Sequence, residues 1–259
     1  MDLSQARHAF VTGGASGIGL VIADALATRG IPVTLADIDA PALDAVLAAR
    51  SKHYRGEVLD ARDRAGWAKA KASAEAVLGP VDILVNNAGI APDGRHFADM
   101  DPTSFDRIIA INLTGVFNGI SAFAADLRAR KRGHIVNTSS FAGLVGFPGI
   151  GSYATAKAGV VAMSEVLRRE MAPHGVGVSV LCPGLVATNL GENTRKLGGQ
   201  DRDRSEKMPD SGVSAAQVGE TVADGIAQNL GYIITHPDLW DGVSQRMDRI
   251  RQAFHPTAA

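Results

Sequence analysis

Residues 12–19 read TGGASGIG and join a short apolar run to an amphipathic pattern. The apolar run, residues 8–12, predicts a buried strand, and residues 17–29 predict a helix with one apolar face. Glycines at such a turn let the main chain approach a pyrophosphate, and the start of the helix adds N–H donors and a positive dipole end. The spacing is G-x3-G-x-G, and its place between a strand and a helix favours a dinucleotide-binding loop over a plain tight turn.

The same alternation of short apolar runs and longer helical patterns continues along the whole chain. Strands are predicted at residues 8–12, 32–36, 56–59, 81–86, 134–139, 176–181 and 232–235, and helices at 17–29, 41–49, 63–78, 102–130, 153–172, 214–229 and 237–254. This order predicts one parallel sheet that helices cover on both faces. Because the chain contains no Gly/Ser linker and no internal repeat, we expect a single α/β domain over residues 1–259.

The composition argues against several classes of function. The net charge is −1 with both signs interspersed, which gives no electrostatic case for binding nucleic acid or an anionic membrane. Cys182 is the single cysteine, so an internal disulfide framework and a cysteine-based zinc cluster are excluded, and we expect no metal site. The sequence has neither 18 uninterrupted apolar residues nor a signal peptide, so we expect a cytoplasmic protein that does not span a membrane.

Two acidic residues follow predicted strands next to the glycine-rich turn. Asp37 ends the second strand, where a carboxylate can accept hydrogen bonds from both hydroxyls of an adenosine ribose and would repel a 2′-phosphate. No Arg or Lys lies at 36–40 or between the glycines, so we predict NAD rather than NADP as the cofactor. The alternative is that Asp37 only caps a loop. Asp60 ends the third strand and either meets the adenine amine or forms a turn.

Tyr153 and Lys157 lie four residues apart in a predicted helix, so their side chains share one face. An ammonium beside a phenol lowers the pKa of the phenol, which makes the tyrosine a usable base at neutral pH. Ser140 ends the preceding strand, from where its hydroxyl would hold the substrate oxygen. The three residues together predict a site that moves a proton on or off an alcohol. The alternative is a solvated lysine beside a half-buried tyrosine.

Taken in order, these motifs resemble those of the short-chain dehydrogenase/reductase family, in its Tyr-x-x-x-Lys type. The matching positions run from about residue 7 to about residue 190 and comprise 12–19, Asp60, Asn86-Asn87-Ala88-Gly89, Asn112, Ser140, Tyr153, Lys157 and Pro183-Gly184. The resemblance implies a single Rossmann-type domain with a doubly wound parallel sheet of about seven strands. It also implies nicotinamide-dependent oxidation of an alcohol or reduction of a ketone.

The resemblance further implies roles for particular residues. The catalytic set would be Asn112, Ser140, Tyr153 and Lys157, with Asn112 bending the long helix and holding a relay water. The family's serine lies thirteen residues before its tyrosine, which selects Ser140 over Ser139. The cofactor-binding set would be Gly13, Ser16, Gly17, Ile18, Gly19, Asp37, Asp60, Asn87, Ala88, Gly89, Tyr153, Lys157, Pro183, Gly184, Val186 and Thr188.

The substrate pocket is expected to be mostly apolar, which favours a bulky or ring-bearing secondary alcohol over a sugar. The alternative is that its residues pack the core. Residues 189–212 form either a lid over the pocket or a plain surface loop. The basic residues in this segment would either meet a carboxylate or form a solvated face; they are Arg195, Lys196, Arg202 and Arg204. The pocket residues are His96, Phe141, Val145, Phe147 and Leu185.

The C-terminal segment departs from the usual ending of the family. It reads Thr235-His236-Pro237 and continues as an amphipathic helix, so that residues 236–254 replace the family's glycine-rich tail. This departure leaves the common tetramer interface in doubt, and we expect a homodimer or a homotetramer.

Three functions remain open at this point. The first is an NAD-dependent dehydrogenase that acts on a small-molecule secondary alcohol. The second is a biosynthetic ketoreductase that reduces a carrier-bound 3-ketoacyl chain with NADPH, against which Asp37 argues. The third is a catalytically silent NAD-binding scaffold, against which all four catalytic positions argue.

Overall fold

The computed structural model describes residues 1–50, 53–188, 190–196, 198–199 and 212–254. Within this part of the chain, seven strands form one sheet in the order β3-β2-β1-β4-β5-β6-β7, and every pairing is parallel. The strands are β1 (Ala9–Thr12), β2 (Val33–Asp37), β3 (Tyr54–Val58), β4 (Ile83–Asn86), β5 (Gly133–Thr138), β6 (Val176–Cys182) and β7 (Tyr232–Ile234). The doubly wound sheet predicted from the sequence is confirmed. Strand order reverses between β1 and β4, where the carboxyl ends of the strands open a crevice.

Helices cover both faces of the sheet. They are α1 (Gly17–Ala27), α2 (Ala40–Ala48), α3 (Arg64–Leu78), α4 (Pro102–Ile109), α5 (Gly115–Arg130), α6 (Gly151–Met171), α7 (Leu190–Lys196), α8 (Ala215–Ala227) and α9 (Trp240–Phe254). The sheet divides the apolar interior into two main clusters, because neighbouring side chains on a strand point to opposite faces. Val11 packs with α1 and α8, whereas Phe10 packs with Trp67 and Phe123 from α3 and α5.

Most of the helices that leave the carboxyl edge of the sheet begin at a capping side chain. Asp39, Asp63, Asp101 and Ser214 each accept a hydrogen bond from a main-chain N–H in the first turn of α2, α3, α4 and α8, respectively. Such caps satisfy N–H groups that have no partner within the helix. Short polar residues at these positions therefore set where the helices begin.

The predicted helix over residues 102–130 is interrupted. Between α4 and α5 the chain forms a π-helical turn, Ala110–Thr114, whose wider hydrogen bonding shifts the helix face locally. The segment is 29 residues long, and its most apolar 18-residue window has a mean hydropathy of 1.6, which matches the length and composition of a membrane span. Half of its most apolar window is buried inside the protein, as is usual for a helix that packs on a sheet.

The structure adds detail to two other expectations. The start of the expected lid is a helix, α7, and most of the remaining residues of 189–212 lie outside the described part of the chain. The C-terminal helix begins later than predicted, because the prolyl turn Pro237–Leu239 is a 3-10 turn that precedes α9.

Candidate active site

The main cleft lies at the carboxyl ends of the strands, where the sheet order reverses. Its volume is about 300 Å³, and it extends from the glycine-rich turn past the end of β2 to the side chains of α6. The residues predicted from the sequence that line it are Gly13, Ser16, Gly17, Ile18, Asp37, Asp60, Asn87, Ala88, Gly89, Tyr153, Lys157, Pro183 and Thr188. The structure thus brings the expected nucleotide end and the expected proton-transfer end into one cavity.

The glycine-rich turn folds too tightly for side chains. Gly13 has φ +61°, a conformation that favours glycine, and a Cβ on Gly19 would stand 2.2 Å from the carbonyl oxygen of Gly13. Gly19 itself does not line the cleft, in contrast to our expectation, because it supports the turn from behind. Its role is to let α1 begin directly under the loop.

The N-terminus of α1 is left open toward the cleft. Ser16 stands at the N-cap, but its hydroxyl makes no capping bond and instead accepts from Nδ2 of Asn193 at 2.9 Å. The first N–H groups of α1 therefore lack the side-chain partner that α2, α3, α4 and α8 have. Such a terminus suits an anion, so it fits the pyrophosphate of a dinucleotide.

Acidic groups surround the end of β2. The Asp37 carboxylate accepts hydrogen bonds from the N–H groups of Ala15 at 3.0 Å and Asp39 at 3.1 Å, which fixes its orientation beside the cleft. Asp60 is bound by Arg62, whose guanidinium lowers the pKa of that carboxyl. The carboxylate that was expected to meet an adenine therefore already has a cationic partner, Arg62.

Lys157 is the one fully buried cation on the cleft wall among the described residues. Its exposure is 3%, and its ammonium donates to the carbonyl oxygen of Thr138 at 2.9 Å. Burial lowers the Lys157 pKa to about 8. The ammonium lies 5.5 Å from the centre of the Tyr153 ring, so the two residues share one helix face as predicted. Also facing the cleft is the buried hydroxyl of Thr138, which has no hydrogen-bond partner among the described residues.

Asn112 lies in the π-helical turn, behind the cleft wall. Its amide oxygen accepts from the N–H of Ile90 at 2.8 Å, and its amide nitrogen donates to the carbonyl of Ile90 at 2.9 Å. Gly89 separates it from the lysine: a Cβ there would lie 3.0 Å from the Asn112 oxygen and 3.6 Å from the Lys157 ammonium. The bend expected at this asparagine is present, and both polar atoms of its side chain bond to Ile90, which fixes the turn after β4.

The two serines after β5 have different partners. The Ser139 hydroxyl is buried and donates to the main-chain carbonyl of Lys157 at 2.7 Å, which ties β5 to α6. The Ser140 oxygen accepts from the N–H of Ala142 at 3.1 Å, so its own proton remains available to donate. Ser140 does not line the described cleft itself, although Ser139 does.

Several expected residues lie elsewhere. Gly184 packs against the C-terminal segment, and Val186 is 8% exposed and belongs to the apolar cluster of α1 and α8. None of the five predicted substrate residues lines the main cleft. His96 is exposed and points to no described partner in the cleft, while its neighbour Phe97 covers Gly151 at the start of α6.

The other predicted substrate residues form an apolar group beside the cleft. The rings of Phe141 and Phe147 lie 6.1 Å apart, and Gly242 of α9 packs against Phe141 and Val145. Leu185 is 52% exposed. Because the apolar contacts come from α9 as well as from the loop after β5, the expected atypical C-terminal helix is part of this wall.

The sequence did not indicate how α7 meets the cofactor cleft. Asn193 reaches Ser16, the Thr194 hydroxyl accepts from the N–H of Ala91 at 2.8 Å, and Lys196 pairs with Asp39 at 3.2 Å. Lys196 was expected to meet a carboxylate, and in the structure that carboxylate is Asp39 of the same chain. The polar composition of the segment was the one available signal, because these partners lie more than 100 residues away in sequence.

Buried Lys157 beside Tyr153, at the edge of a dinucleotide-type cleft, defines a Rossmann-type oxidoreductase site. The sequence matches the family model described as short chain dehydrogenase over residues 7–197. The chain therefore belongs to the short-chain dehydrogenase/reductase family, whose members are oxidoreductases that bind a nicotinamide cofactor.

Similar proteins include two dehydrogenases and a solved structure. The C alpha-dehydrogenase of Sphingobium sp. is 32% identical over 271 aligned residues, which cover 97% of this chain and 88% of that protein. The 2-(S)-hydroxypropyl-CoM dehydrogenase 3 of Xanthobacter autotrophicus is 39% identical over 191 residues, covering 73% and 74%. A short chain dehydrogenase/reductase from Burkholderia phymatum, solved in complex with NAD, superimposes with a TM-score of 0.87 at 28% identity, covering 100% and 99%.

Proposed function

We propose that the protein is an NAD-dependent dehydrogenase that interconverts a secondary alcohol and its ketone. The observation that carries the proposal is the buried ammonium of Lys157 beside the Tyr153 ring. None of the described carboxylates pairs with this lysine. A buried charge without an opposite charge weakens a fold, so its presence in a cleft indicates a functional role.

In the oxidative direction, the residues of the chain handle the proton. Ser140 donates its free hydroxyl proton in a hydrogen bond to the alcohol oxygen and stabilises the charge that develops there. Tyr153, as the phenolate, accepts the hydroxyl proton, and the ammonium of Lys157 stabilises that phenolate electrostatically. The nicotinamide ring, when bound, supplies the hydride acceptor.

The proton then leaves toward solvent by way of Lys157. One of its three N–H donors is used by Thr138, which leaves two for the ribose hydroxyls of the cofactor and a relay water. Both side-chain polar atoms of Asn112 are taken by Ile90. A relay water at Asn112 would bind its main-chain carbonyl, which lies in the π-helical turn.

The charges at the adenosine end support NAD rather than NADP. Asp37 is a fixed carboxylate beside the cleft, and a 2′-phosphate placed near it would be repelled. Two cations also line this end, Arg62 and Lys196, but each is already paired with an acid of this chain. Their charges are thus compensated before any cofactor arrives.

The aromatic residues near α6 support a ring-bearing substrate. Phe141 and Phe147 form a tilted pair, and Phe97 lies on Gly151, two residues before the catalytic tyrosine. Aromatic rings prefer offset or tilted neighbours, so this wall would take a flat ring more readily than a hydroxylated sugar.

The test is steady-state turnover of purified protein with NAD⁺ and with NADP⁺, against a panel of cyclic, steroidal and aryl secondary alcohols. We expect higher kcat/KM with NAD⁺, and Tyr153→Phe should lower kcat by about 10²- to 10⁴-fold. Its affinity for NAD⁺, measured by calorimetry, should stay close to that of the wild type. Wild-type turnover by the variant would refute the assignment, and NADPH-dependent reduction of 3-ketoacyl thioesters would identify a biosynthetic ketoreductase instead.

A further inference from the structure

The C-terminal segment brings a buried histidine onto the turn that follows β6. Cys182 of β6 is paired with Ile234 of β7, so the residues that follow both strands leave the sheet side by side. The N–H of Gly184 donates to Nδ1 of His236 at 3.2 Å. A Cβ on Gly184 would stand 2.7 Å from the ring, so the histidine lies directly against the main chain of this turn.

The hydrogen bonds fix the protonation of the ring. A main-chain N–H can only donate, so Nδ1 of His236 must be an acceptor and the proton of the neutral ring is on Nε2. The hydroxyl of Thr235 lies 2.7 Å from the same Nδ1, so with this tautomer it donates as well and shares the one lone pair of Nδ1 with Gly184. His236 is only 5% exposed, and its Nε2 has no hydrogen-bond partner among the described residues. A buried polar atom without a hydrogen-bond partner lowers stability, so we infer that this histidine has a role other than stabilising the fold.

The same turn is held from its other side by the serine loop. The carbonyl of Pro183 accepts from the N–H of Phe141 at 2.8 Å, directly after Ser140. Pro183 lines the cleft, whereas Gly184 and His236 do not. The Pro183–Gly184 turn is therefore hydrogen-bonded on one side to the segment that would hold the substrate oxygen and on the other side to His236.

We propose that His236 is a positioning residue, which holds the Pro183–Gly184 turn in place as the wall of the cleft against which the nicotinamide half of the cofactor is oriented. It acts through the main chain of Gly184 and touches neither substrate nor cofactor. This inference rests on the proposed function for its effect on catalysis. The hydrogen bond itself is a property of the protein alone, so it can be tested separately.

The first experiment measures amide hydrogen exchange of residues 184–188 in the protein without cofactor. His236→Leu removes the Nδ1 acceptor, and we expect exchange at Gly184 to become about tenfold faster, the change that corresponds to losing one hydrogen bond. His236→Asn places an amide oxygen where Nδ1 stands, so exchange should stay close to that of the wild type. His134→Leu is the matched control, because His134 is also buried but lies at the far end of β5, bonded to Ser179.

The second experiment measures kinetics with NAD⁺. His236→Leu should lower kcat about 10- to 100-fold, because a misplaced reacting group loses orientation, while the dissociation constant of NAD⁺ changes little. The kcat of His236→Asn should instead stay close to that of the wild type. Unchanged exchange at Gly184 in His236→Leu, or an asparagine variant that behaves like the leucine variant, overturns the proposal.

Two further results separate a failure of the proposed function from a failure of the role proposed for His236. If the wild type has no activity with any alcohol, the proposed function fails, but the exchange data still decide whether the histidine holds the turn. If His236→Leu does not fold, ¹⁵N NMR of the wild-type ring decides instead: protonated Nε2 with bare Nδ1 supports the proposal, and protonated Nδ1 overturns it.

Discussion

Replacing Lys157 by methionine is expected to stabilise the folded protein near neutral pH while abolishing turnover. The lysine is buried, and burial lowers its pKa from 10.5 to about 8. A pKa change of one corresponds to about 1.4 kcal/mol, so keeping this charge in the folded protein costs about 3 kcal/mol. The methionine has a similar length and no charge, but it loses the hydrogen bond to Thr138, worth about 1 kcal/mol. The net gain at pH 7 is then about 2 kcal/mol.

The stability gained by Lys157→Met should decrease as the pH rises. Because the Lys157 pKa in the folded protein lies below its unfolded value, the unfolded chain binds more protons between about pH 8 and 10.5. The stability of the wild type therefore rises over this interval relative to the variant. Above the unfolded pKa, the lysine is neutral in both states, so the variant should be less stable by about 1 kcal/mol, the value of the lost hydrogen bond.

Urea unfolding of the cofactor-free protein at pH 7, 8, 9 and 10 measures this difference directly. Lys71→Met is the matched control. Burial lowers the Lys71 pKa, but ion pairs with Asp126 and Glu75 outweigh burial and raise it, so the pH dependence should have the opposite sign. The reasoning is refuted if Lys157→Met is less stable than the wild type at pH 7, or if the difference does not change with pH.

Three further predictions concern serine, histidine and aspartate side chains. Ser140→Ala should lower kcat by about 10²- to 10³-fold with little change in stability. Ser139→Ala should instead lower the free energy of unfolding by about 1 kcal/mol. Steady-state kinetics measures the first effect, and urea unfolding measures the second. Burial lowers the His134 pKa from 6.5 to about 3, so stability should fall as pH drops below 6.5, and His134→Gln should flatten that decline in urea melts between pH 6.5 and 4. Asp37→Ala should reduce the NAD⁺/NADP⁺ ratio of kcat/KM by at least about fivefold, as expected from removing about 1–4 kcal/mol of charge repulsion; an unchanged ratio contradicts the assignment.

Local patterns were sufficient to predict the sheet and most of the cleft. A strand, a glycine-rich turn and a helix in succession predict the loop at 12–19, and an acid at the end of the next strand predicts Asp37, because these features depend on neighbours in sequence. The spacing of Tyr153 and Lys157 likewise needs only a helix. Each of these residues lines the cleft.

The features that local patterns could not predict depend on contacts between distant segments. The family resemblance implied a bend at Asn112, but no propensity distinguishes a π-helical turn from a regular helix, and this turn is bonded through Asn112 to Ile90, 22 residues away. Asn193 meets Ser16 from 177 residues away. Gly184 was expected to face the cofactor, but the register of β6 and β7 turns it to His236. Such pairings are set by topology rather than by local pattern.

The division of the interior by the sheet has an evolutionary consequence. The cluster of α1 and α8 supports the glycine-rich turn, whereas the cluster of α3, α5 and α6 supports the helix that carries Tyr153. Substitutions in separate clusters have nearly additive effects on stability, because they share few neighbours. Mutations in the cluster that packs against α6 can therefore accumulate with little effect on the packing of the cluster that supports the glycine-rich turn.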